Sequence, residues 1–391
     1  MTEIDSRSDD FSVANCAKLL SQLIEINTCQ PAGNEARLVD FIEARYQNTS
    51  AQCTRLDHGH NRASLVVKLP GQSDTGTVAF VGHLDTVSCG DLNQWHSPPL
   101  AATVKDGVLF GRGASDMKGG VAAMLLALDH FINNHPNLQN TVLFCFTADE
   151  EKDGIGARAL SQSGLLKDVA EMFVCEPSRE SIGLCEKGAL WVRVTASGVS
   201  CHASRPKLGV NAIEALIAFA AKARGTLDLS QDHPYLGKTS LSVTMLQGGT
   251  MTNIIPAAAF IELDIRTLPD VSHENLQSQF AEICRQLERE MPPLVLNLEI
   301  INNRPPLGIE ESHEFVLKID ACAEKRSIRL AKRGLFFYTD ASQLVPPLDI
   351  PFVILGPGDD REAHKANEQI ELESVARFAR LYAGYIQDHC Q

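Results

Sequence analysis

The sequence predicts an α/β protein in which a mainly parallel sheet is flanked by helices and the chain is interrupted by an inserted α+β domain. Three observations predict it. Short apolar strands alternate with helical stretches over residues 15–180, the order produced when helices cover a parallel sheet. After Gly188 the pattern changes to longer alternating strands and amphipathic helices. Beyond residue 303 the style of the first part returns. A length of 391 residues suits one large domain plus a smaller one, so the expected bounds are 1–188 and 303–391 for the large domain and 189–302 for the insertion.

The elements follow from local pattern. "SLVVKL" (64–69), "TVAFVG" (77–82), "TVLFCFTA" (141–148) and "EMFVCE" (171–176) are short runs rich in β-branched and aromatic residues and are expected as strands. "GGVAAMLLALDHFINNH" (119–135) is expected as a helix whose glycine pair permits tight packing at its start. In the middle of the chain, "ALWVRVTASG", "TSLSVTMLQGG", "AAAFIELDIRTLP" and "LVLNLEI" are strands. "GVNAIEALIAFAAKARG" and "ENLQSQFAEICRQLERE" are amphipathic helices. The last part offers a helix near 313–325, a strand "FVILGPG" (352–358) and a final helix "ESVARFARLYAGYIQDHC".

Composition narrows the partners. The apolar content of 44% and charged content of 21% are those of a globular protein, and the net charge of −14 argues against nucleic acid and anionic membranes. The start, MTEIDSRSDD, lacks the basic and apolar regions of a secretory signal, and no run approaches the roughly 18 apolar residues that span a bilayer. A cytoplasmic location is expected. The eleven cysteines include no Cys-x-x-Cys pair, so reduced thiols are expected, with any metal held by His, Asp and Glu.

Candidate ligands recur where strands stop, the edge at which open α/β sheets build their sites. His83 follows "AFVG", Glu150 and Glu151 follow "LFCFTAD", and Glu176 follows "MFVC". Asp116 precedes the helix at 119, and His364 lies six residues beyond the strand at 352–358. Each alone has an ordinary explanation: Asp116 as a helix cap, Glu176 as a loop acid, His364 as a surface histidine, Asp149–Glu151 as a solvated charge run. Together they supply the nitrogen and oxygen ligands suited to Zn²⁺ and its first-row relatives. Asp85, two residues after His83, is placed to accept the second ring N–H of that histidine.

"GHLDTV", "GRGASDMKGG", "TADEE", "CEP" and "AHKANE" occur in that order, and the chain therefore resembles the dinuclear-zinc amidohydrolases, the family of acetylornithine deacetylase, succinyl-diaminopimelate desuccinylase, the aminoacylases and glutamate carboxypeptidase. The resemblance implies a zinc-exopeptidase-like catalytic domain with an inserted dimerisation or lid domain, hence a homodimer. It also implies two divalent metal ions, Zn²⁺ with Co²⁺ as substitute. Asp116 would bridge them, His83 and Glu176 would complete one site, and Glu151 and His364 the other. Asp85 would orient His83, and Glu150 would be the general base, taking a proton from the attacking water and delivering it to the leaving amine. His202, in "GVSCHASRPKLGVNAI", would stabilise the oxyanion. Asn253 and Arg266 would hold a substrate carboxylate.

The expected reaction is hydrolysis of an N-acyl amino acid to a carboxylate and a free amino acid. N-acetylornithine is the leading substrate, and a glutamate-type carboxypeptidase or a succinyl-diaminopimelate desuccinylase is the alternative. A catalytically silent binder of metal or peptide is the reading from another class, and Glu150 speaks against it.

Overall fold

The computed structural model describes residues 9–134, 137–228 and 230–391. The start of the chain, on which the reading of an absent secretory signal partly rests, lies outside the described residues. Two compact units emerge: one built from the described residues up to Leu184 with Ile309–Arg333 and Thr339–Gln391, the other from Cys185–Gly308 with Gly334–Tyr338.

The first unit is organised by one sheet whose strands run, from one side, Gln52–Gly59, Arg62–Leu69, Leu138–Thr147, Gly71–His83, Val169–Pro177, Phe352–Gly356 and Ser181–Glu186. The four strands from Leu138–Thr147 to Phe352–Gly356 are parallel neighbours, and the outer pairings are antiparallel. The parallel strands are buried along continuous stretches, residues 77–83, 141–147 and 172–177 among them. Burial on both faces explains why they read as unbroken apolar runs rather than as alternating ones.

The helices Val13–Glu25, Gly119–Asn134 and Leu372–Cys390 pack against one another beside the sheet. Phe80 is the hub of the core here, with ring centroids 4.7 Å from Phe173, 5.1 Å from Tyr382 and 5.3 Å from Phe144. The glycine pair at 119–120 does what the sequence suggested. A Cβ on Gly120 would stand 2.2 Å from the carbonyl oxygen of Cys175, so only glycine lets the helix start this close to the strand Val169–Pro177, which carries Glu176.

The second unit is an antiparallel sheet of four strands in the order Ser240–Gly248, Ala258–Thr267, Gly188–Ser197, Val295–Arg304. Ala258–Thr267 alternates between buried and more exposed positions, the period of a half-covered strand. The helices Ala212–Gly225 and His273–Glu290 cover it and close a core that includes Val192, Val194, Phe219, Ile261, Leu263 and Phe280. Each helix is capped from its sequence. The Asn211 side chain accepts from the N–H groups of Ile213 and Glu214, which sets the first helix to begin at Ala212, and Ser272 accepts from Asn275.

The sequence reading did not name the helices Val13–Glu25, Glu35–Tyr46, Ile155–Gln162 and Ala341–Leu348, and the last of these runs against local pattern. Ala341–Leu348 is helical although it contains Pro346 and Pro347, residues that ordinarily mark a break. Among the described residues no helix is long and apolar enough to cross a membrane, and all eleven cysteines are free thiols.

Candidate metal centre

Five of the residues singled out in the sequence meet at the carboxyl edge of the parallel sheet. His83 closes its strand and is fully buried. Its Nε2 lies 3.1 Å from Asp116 Oδ1 and 3.4 Å from Glu176 Oε1. On the other side, Nε2 of His364 lies 2.9 Å from Glu151 Oε2 and 3.4 Å from Asp116 Oδ2. Asp116 therefore turns one oxygen to each histidine, the disposition of a carboxylate shared between two positions. His83, Asp116 and Glu151 each offer a ligand atom within 4.8 Å of the others.

Asp85 acts differently from the simplest expectation. The Nδ1–H of His83 donates to the backbone carbonyl of Asp85 at 2.9 Å, while the Asp85 carboxylate stands farther off at 3.5 Å. That carboxylate is occupied elsewhere. Its Oδ1 accepts from the backbone N–H of Glu150 at 3.0 Å and its Oδ2 from that of Glu151 at 3.2 Å. Gln30 Nε2 donates to Asp85 Oδ2 at 2.8 Å and to Asp149 Oδ1 at 3.1 Å. Asp85 thus fixes the histidine through its main chain and the two glutamates through its side chain.

Asp116 is presented by a loop, Ala114–Lys118, whose backbone is not helical at Asp116 and Met117. Gly113 enters it at φ +83°, a conformation open to glycine. Glu368 holds this loop. Its Oε1 accepts from the N–H groups of Ser115 (2.8 Å) and Asp116 (2.9 Å), and its Oε2 accepts from Gly113 N–H (2.9 Å) and Arg112 Nη1 (2.5 Å). Asn367 beside it donates to Gln94 O at 2.9 Å and accepts from His96 N–H at 2.6 Å.

The donor set fits divalent cations. Glu151 Oε1 is buried with no hydrogen-bond partner among the described residues, a costly arrangement unless a cation faces it. Burial pushes the Glu150 and Glu176 carboxyls well above the usual range; His83 opposes this, and neighbouring carboxylates, Asp340 among them, reinforce it. A bound cation reverses this logic and keeps such carboxylates ionised. Imidazole and carboxylate together are borderline ligands of the kind that Zn²⁺ and related ions take.

Residues 79–388 match the family model of peptidase family M20/M25/M40. The chain belongs to this family. As an M20 member it is a metal-dependent amidohydrolase, and the family includes dinuclear metal-binding peptidases. A probable succinyl-diaminopimelate desuccinylase of Staphylococcus aureus (strain MRSA252) is 27% identical over 403 aligned positions, covering 95% of this chain and 97% of the relative. In fold the chain is similar to aminopeptidase PepT of Bacillus cereus, with a TM-score of 0.79 at 22% identity over 97% of this chain and 99% of that one. It is also similar to a Bacillus subtilis protein described as a dinuclear metal-binding peptidase of the M20 family, at TM-score 0.69 and 16% identity over 96% and 99% of the two chains.

The other predicted site residues of this M20 chain lie in its second unit. His202 is exposed, and its Nδ1 accepts from Ser204 N–H at 3.1 Å and lies 2.8 Å from Ser204 Oγ. Asn253 is adjacent, its carbonyl accepting from Ala203 N–H at 2.9 Å. Arg266 has its guanidinium engaged by Asp264, Nε to Oδ1 at 2.8 Å and Nη2 to Oδ2 at 3.0 Å. Any anion it received would have to share it with that aspartate.

Three supporting residues were not anticipated. Glu368 stands at the end of the "AHKANE" stretch that was read only for His364, and a buried acid so close to a ligand was the available signal. Asp340, in "FFYTDAS", is buried and accepts from Thr147 Oγ1 beside the His83 strand. Gln30 carried no signal, because its partners are 55 and 119 positions away.

Proposed function

We propose that the chain hydrolyses the amide bond of N-acylated diamino acids, with His83, Asp116, Glu151, Glu176 and His364 holding two divalent cations and Glu150 as general base. The observation that carries this is Glu150 itself. It is buried beside the ligand cluster with its backbone clamped by Asp85, a placement that a binding-only protein has no use for. When bound, the cations supply Lewis acidity toward the scissile carbonyl and lower the pKa of the attacking water.

The chain's own residues do the rest. Asp85 fixes the ring orientation of His83 and the backbone of Glu150 and Glu151, so the base and one ligand move together. Glu150 receives the proton of the water and returns it to the departing amine nitrogen. His202 supplies an oxyanion donor from a second subunit, and Asn253 and Arg266 receive the carboxylate of the amino acid. Dimerisation through the inserted unit is supported by its edge strand Ser240–Gly248, which exposes Val243, Met245 and Leu246. Zn²⁺ is the proposed native ion, with Co²⁺ as substitute, and the proposed location is cytoplasmic.

Two substrates share the proposed chemistry. The motifs around His364 favour N-acetylornithine, and the names of the sequence relatives favour N-succinyl-diaminopimelate. The test is a panel of acetyl, succinyl and formyl derivatives of ornithine, diaminopimelate, glutamate and methionine with zinc-loaded protein. Turnover of an N-acyl diamino acid that disappears in Glu150→Ala supports the reading. Stoichiometric zinc binding without turnover of any compound in the panel defeats it.

A further inference from the structure

Cys29 and Cys89 lie 60 positions apart in sequence, and their sulfurs are 3.7 Å apart. The backbone brings them together. Residues 28–30 run beside 84–86, with Gln30 N–H donating to Thr86 O at 2.8 Å, Thr86 N–H to Thr28 O at 3.2 Å, and Thr28 Oγ1 to Leu84 O at 2.7 Å. Both cysteines are partly exposed, and Cys89 sits between exposed Ser88 and Gly90. Seven of the other nine cysteines are buried.

The pair is also chemically asymmetric. The Cys89 thiol and the Thr86 hydroxyl, the latter at 3.4 Å, hydrogen-bond to the Cys29 sulfur and hold its pKa down at about 6. The same contact pushes the Cys89 thiol up. One sulfur is thus prepared as a nucleophile and the other is kept as a thiol beside it, the division of labour that exchange with a disulfide uses.

We propose that Cys29 and Cys89 form a reversible dithiol–disulfide site that exchanges with low-molecular-weight disulfides and, when closed, slows turnover by displacing the segment that carries Asp85. The Cys29 thiolate attacks one sulfur of the small disulfide, forming a mixed disulfide and releasing one thiolate. Cys89 loses its proton to solvent and attacks the Cys29 sulfur, forming the internal disulfide and releasing the second thiolate. The protein is oxidised by two electrons and the small disulfide is reduced to two thiols.

Closure brings the sulfurs from 3.7 Å to about 2 Å, drawing the 28–30 and 84–89 segments across one another. Gln30 and Asp85, bonded at 2.8 Å, lie on these two segments, and Asp85 holds the backbones of Glu150 and Glu151. Displacement of a catalytic constellation by about 1 Å can cost 10²-fold in rate.

The effect on turnover rests on the amidohydrolase reading; disulfide formation does not. Zinc-loaded protein is equilibrated in glutathione buffers from fully reduced to fully oxidised, and the Cys29 and Cys89 peptides are mapped by mass spectrometry while kcat is measured. The expected result is a Cys29–Cys89 cross-link that grows with oxidation, a loss of kcat of about tenfold or more, recovery with dithiothreitol, and a Cys29→Ser variant, which lacks the attacking thiolate, with the reduced enzyme's kcat and no loss of it in the same buffers. Absence of the cross-link at the oxidising end overturns the proposal. So does a cross-linked protein whose kcat is undiminished. If no substrate is turned over in the reduced state, the proposed function fails, and calorimetric zinc affinity of the cross-linked protein decides this proposal instead: weakened on closure it supports the displacement, unchanged it overturns it.

Discussion

Glu368 Oε1 accepts the backbone N–H of Asp116 at 2.9 Å, so an acid four residues beyond His364 shapes the loop that presents the shared carboxylate. Glu368→Gln keeps the volume but leaves Arg112, buried and paired to Glu368 at 2.5 Å, without its anion. Supporting groups of this kind are worth about 10–100-fold in metal affinity. Calorimetric zinc titration is expected to show a loss of that size with circular dichroism unchanged. Unchanged affinity would reduce Glu368 to a packing residue.

Glu150→Ala is expected to lower kcat by about 10²–10⁴-fold, the usual contribution of a general base, while zinc stoichiometry stays at the wild-type value because Glu150 is not among the proposed ligands. Steady-state kinetics with metal analysis on the same sample checks both halves. Loss of zinc in this variant would make Glu150 a ligand instead.

Chelation is expected to proceed in two phases. The His83 side chain is 1% exposed and that of His364 57%, so the cation on the His364 side is open to solvent and leaves first. Time-resolved metal release into a chromogenic chelator should show a fast and a slow step of equal amplitude. Thermal stability should fall mainly with the slow one, since the stabilisation by a bound ion grows with the logarithm of its affinity and the tighter ion contributes more.

Glu35 provides a pH dependence away from the ligands. Burial, reinforced by the charge of Asp85, raises its pKa from 4.5 to about 7, although Arg62 Nη1 lies 2.6 Å away. The folded state therefore binds more protons than the unfolded state between about pH 4.5 and 7, and this group's contribution to stability declines as pH rises through that window. Glu35→Gln removes the decline. Urea denaturation at pH 5 and 7.5 should show the variant gaining on the wild type at the higher pH, by an amount bounded by about 3 kcal/mol. Parallel pH profiles would refute it.

Phe80→Ala should cost about 3–5 kcal/mol, since its ring meets Phe144, Phe173 and Tyr382 at the centre of the parallel sheet. Urea denaturation of the metal-free protein measures it.

The central parallel strands were legible because burial on both faces leaves continuous apolar runs, and the helices of the inserted unit because their pattern is amphipathic. The helix Ala341–Leu348 was not, since local proline chemistry argues against it and tertiary packing overrides that argument. His83, Asp116, Glu151, Glu176 and His364, the proposed ligands, could be singled out in the sequence because histidines and acids at strand ends or in adjacent turns are a local pattern. Gln30 could not, because its partners are side chains far away in sequence, and Glu368 was visible only as an acid near His364, since the backbone N–H groups it holds lie 252 to 255 positions earlier. Arg266 shows the reverse: a residue conspicuous in the sequence whose charge is already met by Asp264, two positions away.

The family match begins at residue 79, yet the supports behind Asp85 and Asp149 come from earlier in the chain. Gln30 grips Asp85 and Asp149, Glu35 Oε1 accepts the Asp149 N–H at 3.2 Å, and Arg62 reaches Glu35 and Asp149 at 2.6 and 2.9 Å. A fragment cut to the matched region would keep every proposed metal ligand and the base while losing this brace. The minimal working enzyme is therefore longer than the stretch by which its family is identified.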